Sequence, residues 1–201
     1  MIEPYYDRGG ITIYHGDCAE VMNQLGEFDL LLTDPPYGID AGNMNLGRTA
    51  SSRLAKSDWD KIRPSDDLLA GLISMCHRSI IWGGNYFSLP PSRKFLFWDK
   101  LNAGLSFAEG EQAWCSWDGV ARIYKLNSST VKKRHKTEKP IRLIRWCIKQ
   151  SDGAQSILDP FMGSGTTLLA CKLDGISCVG IEREEAYCEA AVKRLAQEVL
   201  F

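Results

Sequence analysis

Residues Phe28 to Leu32 form a near-continuous apolar run that stops at Asp34, Pro35 and Pro36. An apolar run without alternation fits a strand buried on both faces, as in a parallel sheet covered by helices on either side. Two consecutive prolines forbid its continuation. Ile11 to Tyr14, Ser79 to Trp82, Lys94 to Trp98 and Cys178 to Ile181 read as further strands, and Ile157 and Leu158 end another at Asp159. Trp114 to Trp117 and Ala121 to Tyr124 are expected to pair with each other. Helical segments are expected at Cys18 to Leu25, from Pro64-Ser65-Asp66 to about His77, from Pro140 to Gln150, at Thr166 to Leu173 and from Glu184 onward. Strands alternating with helices predict an α/β domain with a mainly parallel, doubly wound sheet.

With 201 residues, 44% hydrophobic and 24% charged, the chain suits one domain with one core, which excludes disordered and fibrous classes. No apolar run approaches the roughly 18 to 20 residues of a membrane span, and the start has neither a basic nor an apolar signal region, so a cytoplasmic protein without membrane association is expected. Seven cysteines with no CxxC pair point to buried thiols and to no metal site. The formal charge is −1, yet Arg122 to Lys149 holds ten basic residues against the single acid Glu138. On charge alone this is a solvated basic face balancing acids elsewhere. Residues 41–63, polar and rich in Gly, Ser and Asn, read as a long mobile loop.

Two motifs carry chemistry. Asp159-Pro160-Phe161-Met162-Gly163-Ser164-Gly165-Thr166-Thr167 lies between a strand and a helix, where Gly163 and Gly165 let a nucleotide-like ligand approach the backbone. Leu168 replaces the third glycine of a dinucleotide fingerprint, and no lysine precedes Thr166 as a phosphate loop requires. Glu182 follows 17 residues after Gly165, at the end of the next strand, where a carboxylate can accept from two ribose hydroxyls. In Asp34-Pro35-Pro36-Tyr37, a carboxylate and the Pro35 carbonyl can accept both protons of an exocyclic amine while its ring stacks on Tyr37.

Together these segments resemble the S-adenosylmethionine-dependent DNA amino-methyltransferases, in the group whose Asp-Pro-Pro-Tyr motif precedes the cofactor motif. The resemblance implies that Asp34, Pro35, Pro36 and Tyr37 are catalytic, that Asp159, Pro160, Phe161, Gly163, Ser164, Gly165 and Thr166 form the cofactor loop, and that Glu182, with Arg183 beside it, holds the ribose. Gly16-Asp17-Cys18 is similar to the segment that meets the cofactor adenine, with Asp17 accepting from its amine. His135-Lys136-Thr137-Glu138-Lys139-Pro140 is similar to the family's His-Pro-Thr-x-Lys-Pro segment, which implies His135, Thr137 and Lys139 beside the methionine part, where Asp34 also lies. Trp82 to Phe87 resembles a segment lining the base pocket. The implied fold is a seven-stranded Rossmann-like methyltransferase sheet in a single domain, 1–201. Its catalytic half spans about 11–100 and its cofactor half about 135–201.

Two positions depart from the family pattern. Lys136 stands where the family has proline, and only about Asn102 to Arg134 is available for the separate target-recognition region that relatives usually carry. In this setting Lys132, Lys133 and Arg134, with Arg48, Arg53 and Lys56 of the long loop and Lys61 and Arg63 near its end, become phosphate-binding candidates. The reading is a DNA methyltransferase acting on adenine N6 by base flipping, of the restriction-modification kind, with S-adenosylhomocysteine as by-product and a homodimer as a reasonable assembly. Cytosine N4 is the close second target. RNA and protein amide substrates, and a non-catalytic cofactor- or DNA-binding subunit, are further readings.

Overall fold

The computed structural model of the chain describes residues 2–40, 60, 62–103, 108–127 and 138–197. Strand β3 (Phe28–Thr33) carries the apolar run, and Leu30, Leu31 and Leu32 are all fully buried. Side chains alternate along a strand, so Leu30 and Leu32 enter one apolar core while Leu31 enters a second on the opposite face. Burial of each such side chain is worth roughly 1.5–3 kcal/mol, which pins the register of this central strand.

The strands are β1 (Tyr6–Arg8), β2 (Ile11–His15), β3, β4 (Cys76–Trp82), β5 (Phe95–Asp99), β6 (Gly110–Cys115), β7 (Arg122–Lys125), β8 (Ser156–Asp159) and β9 (Ser177–Glu182). They form one sheet in the order β1-β2-β9-β8-β3-β4-β6-β5-β7. The five strands from β2 to β4 in this order are mutually parallel, with Ile13 opposite Gly180, Leu158 opposite Val179, Leu31 opposite Leu158 and Leu32 opposite Ile80. Helices α3 (Ile141–Lys149), α4 (Thr166–Asp174) and α5 (Glu185–Ala196) pack on one face, and α1 (Cys18–Val21) and α2 (Asp66–Ser74) on the other. From β8 the chain winds through α4 to β9 on one side, and from β3 through α2 to β4 on the other. The strand order therefore reverses between β8 and β3, the crevice where open α/β sheets bind ligands.

The sheet differs from the expected seven mainly parallel strands in being, among the described residues, nine-stranded and mixed. The two outermost strands, β1 and β7, are short and largely exposed; no apolar run marks β1 in the sequence, while β7 corresponds to the strand expected at Ala121 to Tyr124. Gly9 and Gly10, both at positive φ, fold β1 back antiparallel onto β2. β6 runs antiparallel to both β4 and β5. The segments expected to pair around residues 114–124 do not do so: β5 lies between β6 and β7. The connection passes around the start of β5, where Arg93 Nε donates to Asp118 Oδ1 at 2.8 Å and Lys94 lies over the Trp117 ring.

Helix α2 starts where its cap predicts, with Ser65 Oγ accepting from the Leu68 amide and two acids in its first turn. It ends at Ser74, short of His77, because pairing with β3 begins at Cys76 opposite Phe28 and draws residues 76–78 into β4. Among the described residues no helix is long and apolar enough to cross a membrane.

Candidate active site

The parallel strands bring their carboxyl ends to one edge. There β2 leads to Asp17, β9 ends at Glu182, β8 at Asp159, and β3 and β4 lead to Asp34 and Gly83. Beyond β3, the Tyr37 and Gly38 amides donate to one oxygen of Asp60 at 2.5 and 3.2 Å, fixing the turn after the prolines. The Tyr37 hydroxyl donates to Asp34 Oδ1. Its ring stacks on Tyr86 with centroids 4.7 Å apart and 14° between planes, and meets the Phe87 ring edge-on. Burial, then the Asp34 carboxylate, pushes the Tyr37 hydroxyl well above its ordinary range, so it remains a donor.

Gly83 makes this arrangement possible. Its φ is 65°, and a Cβ there would lie 2.2 Å from Tyr37 Cε1. Gly83→Ala is expected to cost about 2 kcal/mol or more through the left-handed backbone and the displaced ring. A melting curve beside a methyl-transfer assay checks this, and an unchanged melting point with full activity would show that the ring has room to move.

Lys139 closes the site from the other side. Its ammonium donates to Asp34 Oδ2 at 2.6 Å and to Glu111 Oε2 at 2.9 Å, and lies 5.3 Å from the Trp82 ring centre. Lys100 holds the second Glu111 oxygen at 2.5 Å. Burial alone would raise the Glu111 carboxyl, but the ammoniums of Lys139 and Lys100 outweigh it and hold it at about 2. Burial would likewise lower Lys139, yet Asp34 and Glu111 keep it well above the ordinary lysine range. Lys139 thus pairs directly with Asp34, the residue that the resemblance places beside the same part of the site.

The glycine loop between β8 and α4 lies next to this cluster. Thr33 Oγ1 donates to Asp159 Oδ1 at 2.9 Å, joining the two strands that flank the crevice. The Gly163 amide donates to Glu182 Oε2 at 3.0 Å and the Glu184 amide to Oε1 at 2.8 Å. A Cβ on Gly163 would meet open space, whereas Gly165, at φ 78°, passes so close to Ala191 that a Cβ would lie 2.8 Å from it. Ser164 and Thr166 are held by Arg194 of α5, whose Nη1 donates to Thr166 Oγ1 at 2.9 Å and pairs with Glu138 at 2.8 Å. Pro160 is buried and Phe161 packs on the α1–α2 side of the sheet. Asp17 caps α1 by accepting from the Ala19 amide, and the Gly16 amide donates to the Glu182 carbonyl, so Asp17 and Glu182 are neighbours. Arg183 is exposed and its carbonyl contacts His15 Nε2. Burial pushes the Cys18 thiol up to about 11, which suits packing and not ionisation.

Burial also lifts the Asp159 carboxyl from 3.8 to about 6, against hydrogen bonds from Thr167, Thr33 and the Phe161 amide. A folded-state value above the unfolded one means that stability is full below about pH 4 and is lost as pH rises through about 6, by about 3 kcal/mol in all. Asp159→Asn, which does not titrate, is expected to be the more stable chain at pH 8, with the difference vanishing below pH 4. Denaturant unfolding at both pH values checks this, and a difference independent of pH would contradict it.

Of the residues singled out in the sequence, Arg48, Arg53, Lys56, Lys61, Lys132, Lys133, Arg134, His135, Lys136 and Thr137 lie outside the described residues, as does most of the 41–63 segment. Arg63 donates to the Tyr86 carbonyl at 2.7 Å and pairs with Asp66. The rest of the basic stretch is divided: Arg145 pairs with Asp174 at the end of α4, Lys139 is buried, and Arg122 and Lys125 are exposed on the edge strand β7. Sequence reasoning missed Glu111, Lys100, Asp60 and Arg194. Glu111 could have been found, because it shares the inward register of Ala113 and Cys115 on β6, where a charge needs a partner. Among the described residues no group of His, Cys, Asp and Glu is arranged to hold a metal ion.

Residues 81–193 match the family model described as DNA methylase, of the N6/N4 class. The chain is 25% identical to the Type II methyltransferase M2.LlaDCHI of Lactococcus lactis subsp. cremoris, covering 97% of this chain and 93% of that protein. It is 26% identical to M.ScaI of Streptomyces caespitosus, over 98% and 84% respectively. The first of these alignments takes 252 positions against a chain of 201 residues, so at least 51 positions belong to the relative alone. In fold, the chain resembles M1.HpyAVI in complex with SAM, with a TM-score of 0.62, 24% identity and coverage of 92% of this chain and 99% of that one. The cytosine-N4-specific PvuII DNA methyltransferase gives a TM-score of 0.62 at 13% identity, covering 95% and 88%.

Proposed function

The chain belongs to the N6/N4 DNA methylase family, and on that premise we propose that it transfers a methyl group from S-adenosylmethionine to the exocyclic N6 amine of an adenine flipped out of DNA. The observation that carries this reading is Asp34 at the end of β3, across the strand-order reversal from the glycine loop after β8. A methyl acceptor held at Asp34 and a donor held at the loop would meet in that crevice.

The residues present fit such a cofactor. Gly163 presents backbone to open space, the Glu182 carboxylate is fixed by two amides with lone pairs to spare, and Asp17 lies beside it. Glu182 would take the ribose hydroxyls, Asp17 the adenine amine, and residues 135–139 the methionine part. When bound, the cofactor supplies a methyl group activated by its sulfonium.

The chain's own part is positioning and charge. Asp34 already accepts from Tyr37 and Lys139, and a carboxylate has about four acceptor sites, so it retains capacity for an amine N–H. With the second N–H on the Pro35 carbonyl, the amine lone pair is withdrawn from the ring and turned toward the incoming methyl group. Asp34 then accommodates the released proton directly or through water, and no covalent enzyme intermediate is required. Tyr86, exposed and stacked on Tyr37, supplies the aromatic surface for the base. Arg48, Arg53, Lys56, Lys132, Lys133 and Arg134 are assigned to phosphates, each adding roughly −0.9 to the slope of log affinity against log salt. The alignment positions that the relative alone fills support a target sequence read by loops or by a second copy of the chain.

Incubation with methyl-labelled S-adenosylmethionine and unmethylated DNA, RNA or protein tests the substrate class. Label is expected in DNA, and label confined to RNA or protein would overturn the reading.

A further inference from the structure

Four side chains behind the reaction edge form a continuous charge chain: Asp34 to Lys139 at 2.6 Å, Lys139 to Glu111 at 2.9 Å and Glu111 to Lys100 at 2.5 Å. Each comes from a different element. Asp34 follows β3, Lys139 precedes α3, Glu111 lies on β6 and Lys100 follows β5. Lys139 is 7% exposed and its ammonium rests over Trp82, so water does little to screen it. Two ammoniums face two carboxylates and the network is neutral.

We infer that Glu111 is a positioning residue for methyl transfer, sharing the Lys139 ammonium so that Asp34 meets the substrate amine as a charge-balanced acceptor. This rests on the reaction proposed above. In that reaction positive charge moves from the sulfonium to the amine nitrogen beside Asp34, and the amine then loses a proton. A Lys139 charge balanced by Asp34 alone would oppose both events, because in a buried site a cation a few ångström away acts with little screening. Glu111 removes that opposition by taking half of the ammonium, while Lys100 fixes its other oxygen and so its orientation. Glu111 itself need not touch cofactor or base.

Charge balance and simple packing predict different double variants. Glu111→Gln keeps shape and removes charge, leaving Lys139 uncompensated. Its kcat is expected to fall roughly 10- to 100-fold, with cofactor affinity and KM for DNA held within about threefold. In Glu111→Gln with Lys139→Met the surplus cation is gone, and the double variant is expected to be faster, and to melt higher, than Glu111→Gln alone. If Glu111→Gln is too unstable to assay, the double variant is expected to match the kcat of Lys139→Met alone, because Glu111 acts only through that ammonium, and a further fall would contradict the inference.

Wild-type kcat in Glu111→Gln, or a double variant slower than either single one, would overturn the inference and leave the methylation reaction standing. An unaltered chain that methylates no DNA overturns the reaction and the role together.

Discussion

Asp34→Asn is expected to slow methyl transfer by about 10³-fold or more while cofactor affinity stays within about threefold. Asparagine has the shape of aspartate but a single acceptor oxygen. Tyr37, Lys139 and the substrate amine would compete for it, since the Tyr37 hydroxyl and the Lys139 ammonium now take both carboxylate oxygens. The amide NH2 is also a donor facing another donor at whichever side it occupies. None of this touches Glu182, Asp17 or Gly163 on the other side of the crevice, so the loss should fall on kcat. Single-turnover transfer with calorimetric cofactor binding separates the two, and a rate within tenfold of the unaltered chain would remove Asp34 from the reaction.

Arg194→Met should produce the largest loss of stability. Arg194 is 8% exposed, and its guanidinium reaches Glu138, Thr166 Oγ1 and the Ser164 carbonyl. It thereby ties α5 to the start of α4 and to the segment carrying Lys139. Removing one member of a buried ion pair costs about 3–5 kcal/mol, because the Glu138 carboxylate loses its guanidinium partner. For a domain of this size that is roughly 6–20 °C in melting temperature. Cofactor affinity should fall with it, since Ser164 and Thr166 belong to the glycine loop. Arg194→Lys, which keeps charge but not the forked geometry, is expected to fall between the two. A melting point within about 2 °C of the unaltered protein would show that the pair contributes little.

How much of this was legible in the sequence follows from which interactions are local. The apolar run of β3 and its stop at Pro35 and Pro36 located the central strand and the edge where Asp34 emerges. The spacing from Gly165 to Glu182 placed an acid at the end of the neighbouring strand, where it now accepts from the Gly163 amide. Both are written within one strand-turn-helix unit. β1 was missed because an exposed edge strand carries no apolar run, whereas β7 was expected as a strand but with the wrong neighbour, since its pairing with β5 in place of β6 depends on the path of the loop around Arg93 and Asp118. The charge network is less local still, since Lys139 and Glu111 come together only when the sheet is assembled. A lone acid in the inward register of β6 was its one visible trace.

The most direct test of the account is the identity of the methylated nucleoside. Unmethylated DNA treated with the purified chain and S-adenosylmethionine, digested to nucleosides and analysed by mass spectrometry, is predicted to contain N6-methyladenine. N4-methylcytosine in its place would contradict the assignment of the base, and a product methylated at a ring carbon would contradict the amine mechanism built on Asp34.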